Sequence, residues 1–267
     1  LATDPGYPTY RMGALLAGGD SYPMPLYREN DWLPDLEAIP GDVLSRATIM
    51  WLNYPNNPTG VGASLEFLSQ AVDFAAEHDL LICYDNPYCD VTFDGYQAPS
   101  ILQIPGAKDV AIEFNSHSKT YNMAGWRVGV AVGNERAIEA LTTVKTNIDS
   151  GIFRPIQDAA TVAYNGDQSW LQDRNAIYQR RRDIILNWLP NIGMSADKPV
   201  GGLYVWARVP EATNCEEFAL EMLEKAGVWM TPGTAFGEYG EGYMRLSVCI
   251  PDERLIEAGE RLSRVSR

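Results

Sequence analysis

Four short, nearly continuous apolar runs constrain the fold of this chain more than any other feature. They are "ATIMWL" (47–52), "LLICYD" (80–85), "VAIEFNS" (110–116) and "RVGVAVG" (127–133). A strand that faces water on one side alternates apolar and polar residues; these do not, so both faces are covered. Helical patterns separate them. Ser64 is a good N-cap for an amphipathic helix running to about His78, and a second helix is expected from Glu135 to about Asn147. Apolar strands alternating with helices predict an α/β fold, a mostly parallel sheet flanked by helices.

The pattern changes near Asp167. A long charged helix is expected from Trp170 to Leu189, stopped by Pro190. Beyond it, "GGLYVWARV", the helix "CEEFALEMLEKAG", "VWMTPG", "YMRLSVC" and a final helix from Asp252 read as a smaller α+β unit. The expected division is a large domain over 1–168 and a C-terminal domain over 169–267 that begins with the long helix.

With 46% hydrophobic and 21% charged residues the chain has an ordinary globular composition. Its net charge of −14 argues against a nucleic-acid or anionic-membrane surface, which needs a dense basic stripe. No run approaches the ~20 apolar residues that span a bilayer. Cys83, Cys89, Cys215 and Cys249 are scattered, which predicts reduced, buried thiols in a cytoplasmic protein. His78 and His117 are the two histidines, too few for a His-rich metal site. The opening "LATDPGYP" reads as the end of a strand entering a turn, so a further N-terminal part is expected before it.

Ligands of open α/β sheets bind beyond the carboxyl ends of the strands, and the polar residues of this chain collect there. Asn57 follows the first run, Asp85 ends the second, and Ser116, Ser118 and Lys119 close the third. Taken alone, each has an ordinary reading. Asp85 in "DNPY" suits a turn or a cap, or else a carboxylate that holds a proton on a heterocyclic nitrogen. Lys119 suits a surface amine, or a nucleophile for a carbonyl with Arg127 as the nearby second cation. Ser116, Ser118 and Arg127 together would clamp a phosphate. "PNNPTG" is a loop of turn formers that would also hold Asn57 rigid toward a ligand.

The segments "YPNNPTG", "YDNPY", "SHSKTYNMAGWRVG" and "MRLSV", in that order, resemble the class I/II aminotransferases, fold-type I enzymes that use pyridoxal phosphate. The resemblance covers essentially the whole chain. It implies that Lys119 holds the cofactor as an imine and that Asp85 binds the pyridinium nitrogen, so that the ring serves as an electron sink. It implies further that Asn57 and Tyr88 bond the phenolic oxygen, that Ser116, Ser118 and Arg127 hold the phosphate, and that Tyr7 stacks on the ring. Arg245 would grip the substrate α-carboxylate, with Asn57 beside it. The implied reaction is a ping-pong transamination between an L-amino acid and a 2-oxo acid in which the freed Lys119 amine moves the α-proton. A cytoplasmic homodimer is implied as well, with the long helix from Trp170 and the loop 150–154 as contact regions.

The family's N-terminal arm and its Gly/Ser-rich phosphate turn would precede Tyr7, so the resemblance implies an N-terminally truncated enzyme. "SKTYNMAGWRVG", "GIFRPIQ" and "TPGTAFGEYGEGYMRLSV" look most like the branch that holds the LL-diaminopimelate, alanine and aspartate aminotransferases. Within it the lean is toward LL-diaminopimelate with 2-oxoglutarate, a step of lysine biosynthesis. Two alternatives stand beside it: a C–S β-lyase on the same fold, which would keep Lys119, Asp85 and Arg245 but release ammonia without an oxo-acid acceptor, and a non-enzymatic module such as the aminotransferase-like sensor domain of some transcription regulators.

Overall fold

The structure is a computed structural model that describes residues 1–265. In its first half the elements run β1 (Ala2–Asp4), α1 (Thr9–Leu16), β2 (Pro23–Pro25), α2 (Gly41–Leu44), β3 (Ile49–Leu52), α3 (Leu65–Glu77), β4 (Leu81–Asp85), α4 (Ala107–Val110), β5 (Ala111–Ser116), α5 (His117–Thr120) and β6 (Gly129–Gly133). The strands form one sheet in the order β2-β1-β3-β4-β5-β6. All pairs are parallel except β5 with β6. Met50, Leu52, Ile82 and Tyr84 are fully buried, and β4 is covered on both faces; Ile49 in β3 and Val130 and Val132 in β6 are exposed, against the expectation that every run is covered on both. Helix α3 packs over them through Leu68, Ala71 and Ala75. Its start follows the expected rule, with Ser64 accepting a hydrogen bond from the Phe67 amide at 3.1 Å.

From β1 the chain crosses to β2 on one side, then returns past β1 to β3 on the other. That reversal makes a crevice at the carboxyl ends of β1, β3 and β4, where ligands of such sheets bind.

The second half begins with α6 (Glu135–Ile148), α7 (Arg154–Asn165) and α8 (Trp170–Trp188). Then come β7 (Ser195–Ala196), β8 (Tyr204–Arg208), α9 (Cys215–Ala226), β9 (Thr231–Pro232), β10 (Tyr243–Ser247) and α10 (Asp252–Ser263). The four strands make a separate antiparallel sheet, β7-β8-β10-β9, covered by α8, α9 and α10 around Ile185, Phe218, Met222 and Leu262. Along β10, Met244 and Leu246 enter that core, and the two-residue period turns Tyr243, Arg245 and Ser247 to the opposite face. The fold thus aims Arg245 away from its own core.

The two halves are joined at several points, one of them very close. The amides of Val200 and Gly201 donate to the Gly60 carbonyl, at 3.0 and 3.3 Å. Gly60 has φ +74°, and a Cβ there would stand 2.5 Å from the Pro199 Cβ, so no other residue fits. Among the described residues no helix is long and apolar enough to cross a membrane. The four cysteines are free thiols; Cys249 is exposed, against the expectation of burial, because it lies in the turn after β10.

Candidate active site

Asp85 is the last residue of β4, at the mouth of the crevice. Burial raises its carboxyl above the usual range, while the Tyr10 hydroxyl and the Lys119 ammonium pull it back down. The Tyr10 Oη donates to Asp85 Oδ2 at 2.6 Å. Tyr10 is itself buried in the first turn of α1 and lies flat on Trp51, ring centroids 4.7 Å apart and planes 10° from parallel. A carboxylate with a neutral donor on one oxygen keeps its charge and its remaining lone pairs for another donor.

Lys119 projects from α5, a single turn directly after β5. Ser116 caps that turn, its Oγ accepting from the Ser118 amide at 3.2 Å. Arg127 follows in the left-handed region at φ 54°, is exposed, and donates to the Ala124 carbonyl at 2.9 Å. It makes no ion pair among the described residues. Two hydroxyls and a guanidinium without a carboxylate are thus carried within one short segment, a donor set suited to a phosphate.

Asn57 lies in the loop after β3 and is buried. Asn53 locks it: the Asn53 Oδ1 accepts from the Asn57 amide at 2.8 Å, and the Asn53 Nδ2 donates to the Asp85 carbonyl at 2.7 Å. Arg245 arrives from the other sheet and donates to Asn57 Oδ1 at 2.9 Å. Its guanidinium is held between Tyr204, 3.9 Å from the ring centroid, and Phe236, at 4.4 Å. Such stacking fixes the plane of the fork, and burial lowers its pKa while neighbouring phenols, Tyr7 among them, oppose the shift.

Tyr88 is buried, edge-on to Tyr204, with its phenol pushed far up by burial. Tyr7 is half exposed and meets Tyr10 edge-on at 5.8 Å. Of the nine residues selected from the sequence, Tyr7, Asn57, Asp85, Tyr88, Ser116 and Arg127 stand on loops or strand ends, Ser118 and Lys119 on the short helix α5, and Arg245 in the middle of β10. Four neighbours were not foreseen: Tyr10, Asn53, Tyr204 and Phe236. Asn53 left a signal, a polar residue directly at the end of an apolar run. Cys89, beside Tyr88, is no thiolate, since burial pushes it up to about 12.

The model of the family "Aminotransferase class I and II" matches residues 1–262. An LL-diaminopimelate aminotransferase of Moorella thermoacetica is 53% identical over 265 residues, which is 99% of this chain and 68% of the relative. Another LL-diaminopimelate aminotransferase, from Dehalococcoides mccartyi, is 52% identical over 96% of this chain and 66% of its own length. The chain thus spans about two thirds of these relatives. Among solved structures, apo-BacF from Bacillus subtilis superposes with a TM-score of 0.94 at 39% identity, covering 99% of this chain and 67% of that one. A probable N-succinyldiaminopimelate aminotransferase from Thermus thermophilus gives 0.92 at 35%, covering 98% and 70%. With the lysine on the turn after β5 and the arginine brought in from a second sheet, the family match over residues 1–262 and the identity of about one half to the relatives show that the chain belongs to the class I and II aminotransferases.

Proposed function

We propose that the chain carries the catalytic part of a pyridoxal-phosphate-dependent transaminase that moves an amino group from LL-diaminopimelate to 2-oxoglutarate. One observation carries the cofactor reading. Asp85 is a desolvated carboxylate whose structural partner is a neutral phenol, at a rim that also holds Lys119 and the Ser116, Ser118 and Arg127 donors. That set fits a ring with a protonated nitrogen, a carbonyl and a phosphate. When bound, pyridoxal phosphate supplies an electron-withdrawing pyridinium that delocalises the electron pair released at the substrate Cα.

The residues divide the remaining work. Asp85 accepts the pyridinium N–H and keeps that proton in place. Lys119 would hold the cofactor, and its amine would take the substrate α-proton and return it. Asn57 and Tyr88 donate to the phenolic oxygen, Tyr7 covers the ring, and Ser116, Ser118 and Arg127 hold the phosphate. Arg245 takes the α-carboxylate as a bidentate pair, and its anchors Asn57, Tyr204 and Phe236 set the angle before substrate arrives.

The names of relatives at 50–53% identity support the substrate. The exposed apolar residues of α6 and α7 and the loop between them, Val144, Ile148, Phe153 and Val162, support a homodimer. Free cysteines support a cytoplasmic setting, and the two sheets support a division at 168/169 into a cofactor domain and a smaller one.

The test is glutamate formation from LL-diaminopimelate and 2-oxoglutarate with added pyridoxal phosphate. It is run on this chain and on this chain fused behind the N-terminal third of the Moorella thermoacetica relative. Glutamate that disappears in Lys119→Ala supports the reading. Ammonia released without an oxo acid would replace it with the β-lyase, and LL-diaminopimelate left unconsumed by both proteins would remove the substrate.

A further inference from the structure

Arg174 lies near the start of α8 and is 6% exposed, yet it pairs with no carboxylate among the described residues. A buried guanidinium is costly unless its donors are met, and here backbone oxygens meet them. Its Nη1 donates to the carbonyl of Lys119 at 3.2 Å and, more closely, to that of Thr120. Its Nη2 donates to the Asp90 carbonyl at 2.5 Å and to Asn175 Oδ1 at 2.8 Å.

These acceptors belong to two different pieces of the site. Lys119 and Thr120 end the turn α5, whose last carbonyls have no partner inside so short a helix. A cation there also opposes the negative end of the turn. Asp90 belongs to the segment after β4 that carries Asp85 and Tyr88. Two further bonds brace the same joint: Thr120 Oγ1 donates to Asp90 Oδ2 at 3.0 Å, and Asn175 Nδ2 to the Asp90 carbonyl at 2.9 Å. The planar fork of one guanidinium thus spans the Asp85 segment and the Lys119 turn.

We infer that Arg174 is a positioning residue for Lys119, fixing the backbone of the lysine-bearing turn against the Asp85–Asp90 segment so that the amine stands at a set distance from Asp85. The inference rests on the cofactor reading above. A lysine at 174 would keep the charge, but a single ammonium has no fork to hold both segments in register.

The experiment labels the purified chain with pyridoxal phosphate and borohydride, then maps the product by peptide mass spectrometry over a range of reagent concentrations. Lys108, Lys145, Lys198 and Lys225 are internal standards. Leu262→Ala, in the core around the second sheet, is the control for lost stability alone. In Arg174→Leu and Arg174→Lys the first-order labelling constant at Lys119 should fall about tenfold or more, as a misplaced reacting group does. The half-saturating concentration should move less than about threefold, since Arg127, which lies outside the turn, stays in place. Labelling of the other lysines should not change. If both Arg174 variants label Lys119 at the rate of Leu262→Ala, Arg174 is structural and the inference fails. If the unsubstituted chain itself shows no preference for Lys119, the cofactor reading fails, and this inference falls with it.

Discussion

The hydroxyl of Tyr10 donates a 2.6 Å hydrogen bond to Asp85, 75 residues away in sequence. That bond holds a carboxylate whose burial disfavours its charge. A charge-assisted hydrogen bond is worth about 1.5–3 kcal/mol, so Tyr10→Phe should weaken retention of pyridoxal phosphate by roughly tenfold or more. It should also move the acid limb of retention to higher pH, because the lost donor had been lowering the Asp85 pKa. Spectrophotometric titration of cofactor binding between pH 5 and 8 checks both. Retention equal to the unsubstituted chain would mean that the Tyr10 hydroxyl does not hold Asp85 for the cofactor.

Asp85 should lower the stability of the cofactor-free chain. Its folded-state pKa is raised, so its stabilising contribution is complete below the unfolded value and is lost as pH rises through the folded one. Asp85→Asn keeps an acceptor for Tyr10 and removes the charge. It should raise the melting temperature of the cofactor-free chain at pH 7 by roughly 2–3 °C, about 1 kcal/mol, and abolish most cofactor retention. The gain should shrink toward pH 4. A lower melting temperature in Asp85→Asn at pH 7 would show that the carboxylate is already compensated.

Much of this site was legible because its residues sit in short local patterns. An apolar strand that ends in Asp85, or a turn bearing Ser116, Ser118, Lys119 and Arg127, is visible without knowledge of what packs against it. The strands were legible for the same reason, each being a short apolar run, although burial on both faces accounts for that run in β4 and not in β3 or β6, where Ile49, Val130 and Val132 are exposed. Tyr10, Tyr204 and Arg174 were not legible, because their roles come from elements that meet across the fold. Tyr10 reads as one more aromatic in "GYPTY" until α1 lays it on Trp51 and against Asp85. Arg174 reads as a solvated charge on a charged helix until α8 presses it onto α5. Helix α7 was not foreseen: a loop was expected over 150–154 and no element was assigned between it and Asp167; Pro155 in its first turn is a start signal that fits the observed helix.

Arg245 stands between two aromatic rings with Asn57 on its edge. Arg245→Lys should raise the amino-acid KM by about tenfold or more, because a lysine keeps the charge but loses the bidentate fork. kcat should change much less. A KM within twofold of the original would assign the carboxylate to another cation.

Glu113 is buried, and its Oε2 accepts from Ser100 Oγ at 2.5 Å and the Ile101 amide at 3.1 Å, while Oε1 accepts from Asn86 Nδ2 at 3.1 Å. One carboxylate thus anchors both ends of the long segment between β4 and α4. Glu113→Ala takes the acceptor from three donors, of which Asn86 Nδ2 keeps only a long bond to the Pro99 carbonyl at 3.5 Å, and should cost about 3 kcal/mol. Thermal denaturation should show a melting temperature lower by roughly 6–10 °C. A loss under 2 °C would mean that water replaces the carboxylate.

His117, two residues before the lysine, is buried between Tyr121 and Tyr164, with ring centroids 5.2 and 4.3 Å away. Among the described residues neither nitrogen completes a hydrogen bond, and the nearby Ala160 carbonyl offsets only part of the burial that lowers its pKa. The folded chain therefore prefers the neutral ring. Above the ordinary histidine pKa of about 6.5 this costs nothing, and as pH falls below it the unfolded chain gains protons that the folded chain refuses. His117→Phe keeps an aromatic ring of similar size between the two tyrosines and removes the titration. Between pH 7 and pH 5.5 the melting temperature of the unsubstituted chain should fall more than that of His117→Phe, with the difference largest at the acid end. Parallel melting curves across that range would mean that the imidazolium finds a partner in the folded chain, and the tyrosine cage would then be a proton-tolerant site rather than an apolar one.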